Sequence, residues 1–444
     1  MNKIFRSFVL TVVCLFIAAT SFGAPDVKEV SIDGIKVIYK KTPKDVISVR
    51  LFVKGGNANI DESKQGLENF AFSFTTQGGA GNRTSDEFAT KCESLGTEVS
   101  GSSTYDYGSI NLTCIKANWD ESWGLYSDAI MTPKFDEKEF GILKEQMIAG
   151  AKQSESDPDQ HLANIAMQNV YKGRSYSKNP NGTPKTLEDI SLDDLKSHLD
   201  KAICKKRIFI VIVGNVEESD IVEKVKMAFG NMKDGTPSKT ESRVQITKPS
   251  VVIEDRDIAT NYLMGIMSAP NMATEEGISM RIGMNILRDR YFIELRTKRS
   301  LTYAPSARYN SSRISNPYNS IYISTLDPKQ SITVMVEEIN KIKKDGFSEK
   351  ELLDKKATFL TRFFMGQETS SAQASTLGLF ELAGDWRKAQ SFTEDVNKTN
   401  LKSVNDTFAK YTGAIRWTYL GNEDAVAEED FKQAWEGNVL QSPY

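Results

Sequence analysis

The chain has 444 residues, with 56 Lys+Arg against 59 Asp+Glu, and a formal net charge of −3. That length suggests two to four domains, and 39% hydrophobic content is ordinary for a protein that buries a sizeable core. The near-neutral balance leaves no electrostatic footprint for nucleic acid, and the presence of only two histidines, His161 and His198, excludes any site built on three histidine ligands.

Residues 2–24 begin with Lys3 and Arg6, continue through an apolar stretch from Phe8 to Ala19, and end in a partly small-residue exit from Ser21 to Ala24. This is the layout of a secretory signal, whose apolar core is shorter than the ~20 residues a membrane helix needs. Residues 1–24 are expected to be a signal peptide, and the mature chain to be exported, periplasmic or secreted, with no stable membrane span. After the signal the cysteines are Cys92, Cys114 and Cys204, whose spacing matches no zinc knuckle or redox pair. A Cys92–Cys114 bridge is open in an oxidising compartment, but the odd count gives no disulfide framework, and small buried hydrophobes are the favoured reading.

The segments VKEVSID, IKVIYK and VISVRLFVKG read as strands ending at Gly55–Gly56. Helical periodicity follows over 63–77 and 84–94, then strands at 96–102 and 105–116. A long helical region covers 118–171 with breaks near Pro133 and Pro158, another helix covers 192–203, and RIFIVIVG (207–214) is a buried strand. The plan then repeats. DLKSHLDKAICKKRIFIVIVGN (194–215) is echoed by NLKSVNDTFAKYTGAIRWTYLGN (400–422), which places Gly214 and Gly421 207 residues apart. VISVRLFVKGG (46–56) has its counterpart in TNYLMGIMSAP (260–270). A period this long is no solenoid unit. It predicts an α+β fold of two tandem homologous domains, each an antiparallel or mixed sheet packed against helices. The expected boundaries are 25–232 and 250–444, with the polar stretch 233–249 as linker.

A duplicated α+β unit of this length, with a strand ending in Gly-Gly and a helix just beyond, resembles the pitrilysin/insulinase family of inverted zinc peptidases, its processing-peptidase-like branch above all. The resemblance covers residues 27–435, and Gly55, Gly56, Glu62 and Gly66 keep the approach to the family's H-x-x-E-H helix. In that helix, GLENFAFSFTTQGG (66–79), Asn69 stands at the first histidine, Phe72 at the catalytic glutamate and Ser73 at the second histidine. Counting back from Asp157–Pro158 puts Gly150 at the third ligand, and Glu145 matches another acidic position of that helix. Two imidazoles one turn apart and a carboxylate are what a hydrolytic zinc requires. Asn, Ser and Gly are poor ligands and Phe72 is no base, so the resemblance implies a chain that binds no zinc and is inactive alone. His161 and His198 are expected as surface or cap residues.

The same resemblance points to ELRTKRSLTYAPS (294–306), where Arg296 and Tyr303 match the family's basic–aromatic pair facing the substrate carbonyl, with Arg299 as substitute for Arg296. In two-subunit members one chain carries the zinc motif while the other lacks it and supplies this pair. The resemblance therefore implies a non-catalytic subunit that binds extended peptide beside a zinc-bearing homologous partner, with Arg296 and Tyr303 stabilising an oxyanion in trans. The alternative is a peptide- or protein-binding pseudo-peptidase with no catalytic partner. Neither a Gly-x-Ser-x-Gly elbow nor a Walker loop is present to support other hydrolytic chemistry.

Overall fold

The strand-forming runs before residue 215 assemble into one six-stranded sheet. The structure, a computed structural model, describes residues 27–432, so the signal-like stretch at 1–24 lies outside the described residues. The first half runs β1 (Val27–Ile32), β2 (Ile35–Lys41), β3 (Val46–Lys54), α1 (Leu67–Gln77), α2 (Ser85–Ser94), β4 (Glu98–Ser103) and β5 (Tyr107–Ile115). It continues with α3 (Trp119–Met131), α4 (Glu137–Ser156), α5 (Pro158–Val170), α6 (Pro184–Glu188), α7 (Leu192–Ala202), β6 (Ile208–Gly214) and α8 (Glu218–Phe229). Strand order is β1-β2-β6-β3-β5-β4, with β2 and β6 parallel and the other neighbours antiparallel.

The second half runs β7 (Ser250–Asp255), β8 (Asn261–Ser268), α9 (Glu275–Tyr291), β9 (Ser306–Asn310), β10 (Tyr318–Thr325) and α10 (Pro328–Asp345). Then come α11 (Glu349–Met365), α12 (Ser370–Ala383), α13 (Lys388–Lys398), α14 (Leu401–Tyr411), β11 (Arg416–Gly421) and α15 (Glu428–Lys432). Its sheet, β7-β11-β8-β10-β9, repeats the order β2-β6-β3-β5-β4 of the first, again with one parallel pair, β7 and β11. The repeat extends to single residues. Gly214 and Gly421 end equivalent strands at φ 156° and 155°. A Cβ at Gly214 would sit 2.8 Å from the Ile47 Cα, and one at Gly421 would sit 2.4 Å from the Asn261 side chain, so each strand end needs glycine for the close approach of its neighbour.

The continuous apolar run of β6 is explained by burial on both faces. Ile208, Ile210 and Ile212 pack into the core of their own half, whereas Phe209, Val211 and Val213 join the core of the other half. The covering element is α12, which lies on β3 and β6, while α5 lies on β8 and β11; each half thus lends a helix to the other's sheet. Gly378 of α12 makes the first contact tight, since a Cβ there would come within 2.2 Å of the Phe52 ring. Polar bonds frame the interlock. Ser370 donates to Val46 O at 2.7 Å, Arg50 Nη2 to Ser371 Oγ at 2.9 Å, and Lys36 Nζ to Glu381 at 2.8 Å. The turns after β4 and β9 also meet: Asp106 accepts from Ile314 N at 2.8 Å, Ser315 N at 3.1 Å, Ser315 Oγ at 2.5 Å and the Tyr176 hydroxyl. Residues 233–249 form no helix or strand but are held at Val244 N by Asn316 (2.7 Å) and at Ile246 N by Ser268 (2.7 Å). The cysteines Cys92, Cys114 and Cys204 are free and buried.

One ion pair carries a pH signature. Arg290 of α9 grips Glu351 of α11 through Nε at 2.8 Å and Nη2 at 3.0 Å, and Glu351 also closes a capping box with Ser348. Burial pushes the Glu351 carboxyl up, but the bonds from Arg290 and Ser348 outweigh it and hold the group at about 2. A depressed folded pKa gives stability that is complete above the unfolded value of about 4.3 and is lost as pH falls toward 2. Allowing for solvent screening, Arg290→Gln should cost about 1–2 kcal/mol at neutral pH. That difference should shrink toward zero in urea titrations near pH 2; a pH-independent difference would contradict the pairing.

Candidate functional site

Helix α1 is launched by Gly66, left-handed at φ 89°, where a Cβ would lie 2.8 Å from the Gly182 Cα. Phe70, Ala71 and Phe74 enter the core, which fixes the rotation of the helix and hence the placement of the motif positions. Asn69 accepts from Ser103 N at 3.0 Å and donates to Asn181 Oδ1 at 3.2 Å, and Ser73 Oγ donates to Gly101 O at 3.2 Å. Asn69 and Ser73 are thus committed to the backbone of β4, an edge strand of the sheet. Phe72 is fully buried, with its ring where a Cβ at Gly108 would come within 2.0 Å of Cε2. Gly150 lies exposed on α4 with nothing within 4 Å of a Cβ built on it, and Glu145 is exposed on the same helix. An amide, a hydroxyl and a hydrogen do not fit zinc. Among the described residues no group of three or more His, Cys, Asp or Glu is placed to hold a metal ion.

Beneath the motif lies a cluster that sequence reasoning missed. Glu68, only 2% exposed, accepts from Ser103 Oγ at 2.8 Å, meets His198 Nε2 at 3.1 Å and lies 3.6 Å from Arg207 Nη2. Arg207 also donates Nε and Nη2 to Lys54 O at 3.1 and 3.0 Å. His198 is therefore not the surface histidine expected; it is buried on the inner stripe of α7 with Leu195, Leu199 and Ala202. The signal was the spacing itself, since 195, 198, 199 and 202 share one helix face. His161 also departs from expectation. It is three-quarters buried, with Nε2 at 2.6 Å from Glu254 across the two halves. The acidic partner comes from β7, which spacing along α5 does not reveal.

In the second half α9 runs into a turn of π-helix over Phe292–Thr297, which carries Arg296. Ser300, left-handed at φ 53°, reverses the chain, with its N–H bonded to Arg296 O at 3.1 Å. The loop then returns Tyr303, 79% exposed, against the same arginine. The Arg296 guanidinium lies 4.3 Å from the Tyr303 ring centroid and 4.7 Å from that of Phe292. Arg299 is engaged elsewhere, donating to Glu294 Oε2 at 2.7 Å and Glu294 O at 2.8 Å, while Lys298 takes the other carboxylate oxygen at 2.7 Å. Those two bonds and their charges hold the Glu294 carboxyl below its usual range. Arg296 thus pairs with no carboxylate, and the Tyr303 hydroxyl has no hydrogen-bond partner, among the described residues. The arrangement is a stacked cation with outward-facing donors.

Two family profiles match the chain: "Insulinase (Peptidase family M16)" over residues 36–182, and "Peptidase M16 inactive domain" over residues 189–359. The chain is 22% identical over 418 residues to the non-peptidase homolog YmxG of Helicobacter pylori, covering 92% of this chain and 96% of that protein. Its fold is shared with a peptidase M16 inactive domain from Pseudomonas fluorescens at a TM-score of 0.82 and 19% identity, covering 91% of this chain and 99% of the other. The periplasmic protease PqqL from Escherichia coli superposes at a TM-score of 0.78 and 14% identity, over 90% of this chain and 46% of PqqL.

Proposed function

The chain belongs to the insulinase (M16) peptidase family, and from that premise we propose that it is a non-catalytic, exported subunit that binds extended peptide beside a zinc-bearing homologous partner. Phe72 carries the proposal: where hydrolysis needs a carboxylate base, this chain has a fully buried ring. The flanking metal positions, Asn69 and Ser73, hold the sheet edge instead, and Gly150 has no side chain to offer. The zinc then belongs to the partner, and none to this chain. In the same proposal residues 1–24 are the export signal, 25–232 and 250–444 the two peptidase-like domains, and 233–249 the segment joining them.

Arg296 and Tyr303 supply this chain's share of the chemistry. Stacking over the Tyr303 ring restrains both side chains, and the phenolic O–H and guanidinium N–H groups remain as donors to a developing oxyanion. The peptide pairs with a sheet edge, and β9 is the edge strand that follows Arg296 and Tyr303 in the chain.

The test co-purifies the chain with a homologue that retains H-x-x-E-H and follows cleavage of an unstructured peptide. Loss of one such donor commonly costs about 10²–10³ in turnover, so Tyr303→Phe should lower cleavage at least about tenfold. Its thermal midpoint should not move, because Tyr303 is exposed. Undiminished cleavage would remove Tyr303 from the mechanism. Stoichiometric zinc and cleavage by the chain alone would overturn the non-catalytic reading altogether.

A further inference from the structure

The duplication gives the second half its own counterpart of the degenerate motif, and that counterpart contains a cavity. Helix α9 follows β8 as α1 follows β3, and α11 and α12 hold the places of α4 and α5. Arg281 stands seven residues beyond the N-cap Thr274, as Ser73 stands seven beyond the N-cap Gly66. At this place the cavity measures about 180 Å³, walled by Met272, Phe363, Leu379 and Phe380, with Arg281, Ser311 and Thr376 among its polar lining residues.

Arg281 is unusual for a cation in such surroundings. Its guanidinium lies 5.9 Å from the Tyr309 ring centroid and 5.8 Å from that of Phe392, and Nη2 donates to Ser311 Oγ at 2.9 Å. Among the described residues no carboxylate pairs with it. Burial lowers its pKa from the ordinary value, opposed by Tyr309, yet an arginine remains charged. The molecule thus holds a half-buried guanidinium with no carboxylate partner at the wall of the cavity, with most of its five N–H donors not bonded to protein among the described residues.

We propose that this cavity binds a carboxylate carried on a compact apolar body, with Arg281 taking the anion and the α11–α12 wall taking the body. A dry cavity of roughly 150 Å³ accommodates benzene, so this one has room for a ring on a short acid-bearing arm. Guanidinium matches carboxylate bidentately, which favours an acid over its neutral isostere. The site is separate from Arg296 and Tyr303 and does not rest on the function proposed above. Two sources present this chemistry: a free aryl or alkyl acid, and the C-terminal carboxylate of a peptide ending in an apolar residue.

The test is calorimetric titration of the full mature chain with 3-phenylpropionate, N-acetyl-glycyl-phenylalanine, and the primary amide of each. Each acid that binds should do so at least about tenfold more tightly than its amide. Binding of the peptide acid identifies the C-terminus as source; binding of phenylpropionate alone identifies the free acid. Arg281→Met should abolish the preference for acid, and Leu379→Trp, which fills the cavity, should abolish binding. The acid–amide comparison needs no variant and decides even if a substitution unfolds the chain. Equal binding of acid and amide, binding of neither, or an acid preference retained in Arg281→Met overturns the proposal.

Discussion

Glu68→Ala is expected to destabilise the protein by about 3–5 kcal/mol, because it leaves His198 and Arg207 buried with their shared acceptor removed. The pair distances of 3.1 and 3.6 Å, and the 2% exposure of Glu68, put the group in the regime where removing one partner costs far more than the pair contributes net. Urea unfolding followed by the fluorescence of Trp119 and Trp123, which pack in the same core, reports the change. The double variant Glu68→Leu with His198→Leu should recover part of the loss, since Arg207 keeps its bonds to Lys54 O. If Glu68→Ala leaves the unfolding midpoint in place, the cluster contributes nothing to the fold.

Phe72→Glu, which puts a glutamate where the proposed motif reading places the catalytic base, should destabilise by about 4 kcal/mol or more and should not create hydrolytic activity. Loss of a buried ring alone costs about 3–5 kcal/mol, and a carboxylate without a partner adds its desolvation. The ring fills the hollow over Gly108, so the glutamate would be left in a closed space close to the Glu68 carboxylate rather than facing a substrate. Adding Asn69→His and Ser73→His should not rescue folding, because both native side chains hold β4 in place. Thermal unfolding of the single and triple variants checks this. A stable triple variant that takes up one zinc would overturn this expectation.

The repeating order of elements was legible wherever one segment carried its own pattern. The apolar run 208–213 within 207–214 announced a buried strand, and the Gly-Asn ends at 214–215 and 421–422 announced the duplication that the two sheets realise. That residues 66–79 carry no H-x-x-E-H was legible for the same reason, since a motif is a local spacing. What sequence did not reveal is which half covers which. Phe209, Val211 and Val213 alternate with residues of their own core, but nothing local says that α12, more than 150 residues away, supplies their partner surface.

The two histidines show the same division. Their number followed from the sequence and limited the chemistry at once. Their environments did not, because Glu68 lies 130 residues from His198 and Glu254 lies 93 from His161. Arg296 and Tyr303 were singled out by resemblance alone; their stacking, and the diversion of Arg299 to Glu294, depend on a π-turn and a left-handed Ser300 that no propensity assigns. Local periodicity and motif spacing are properties of short segments and survive in one dimension. Ion pairing, burial and cavities are set by which distant segments meet, and only the tertiary structure decides them.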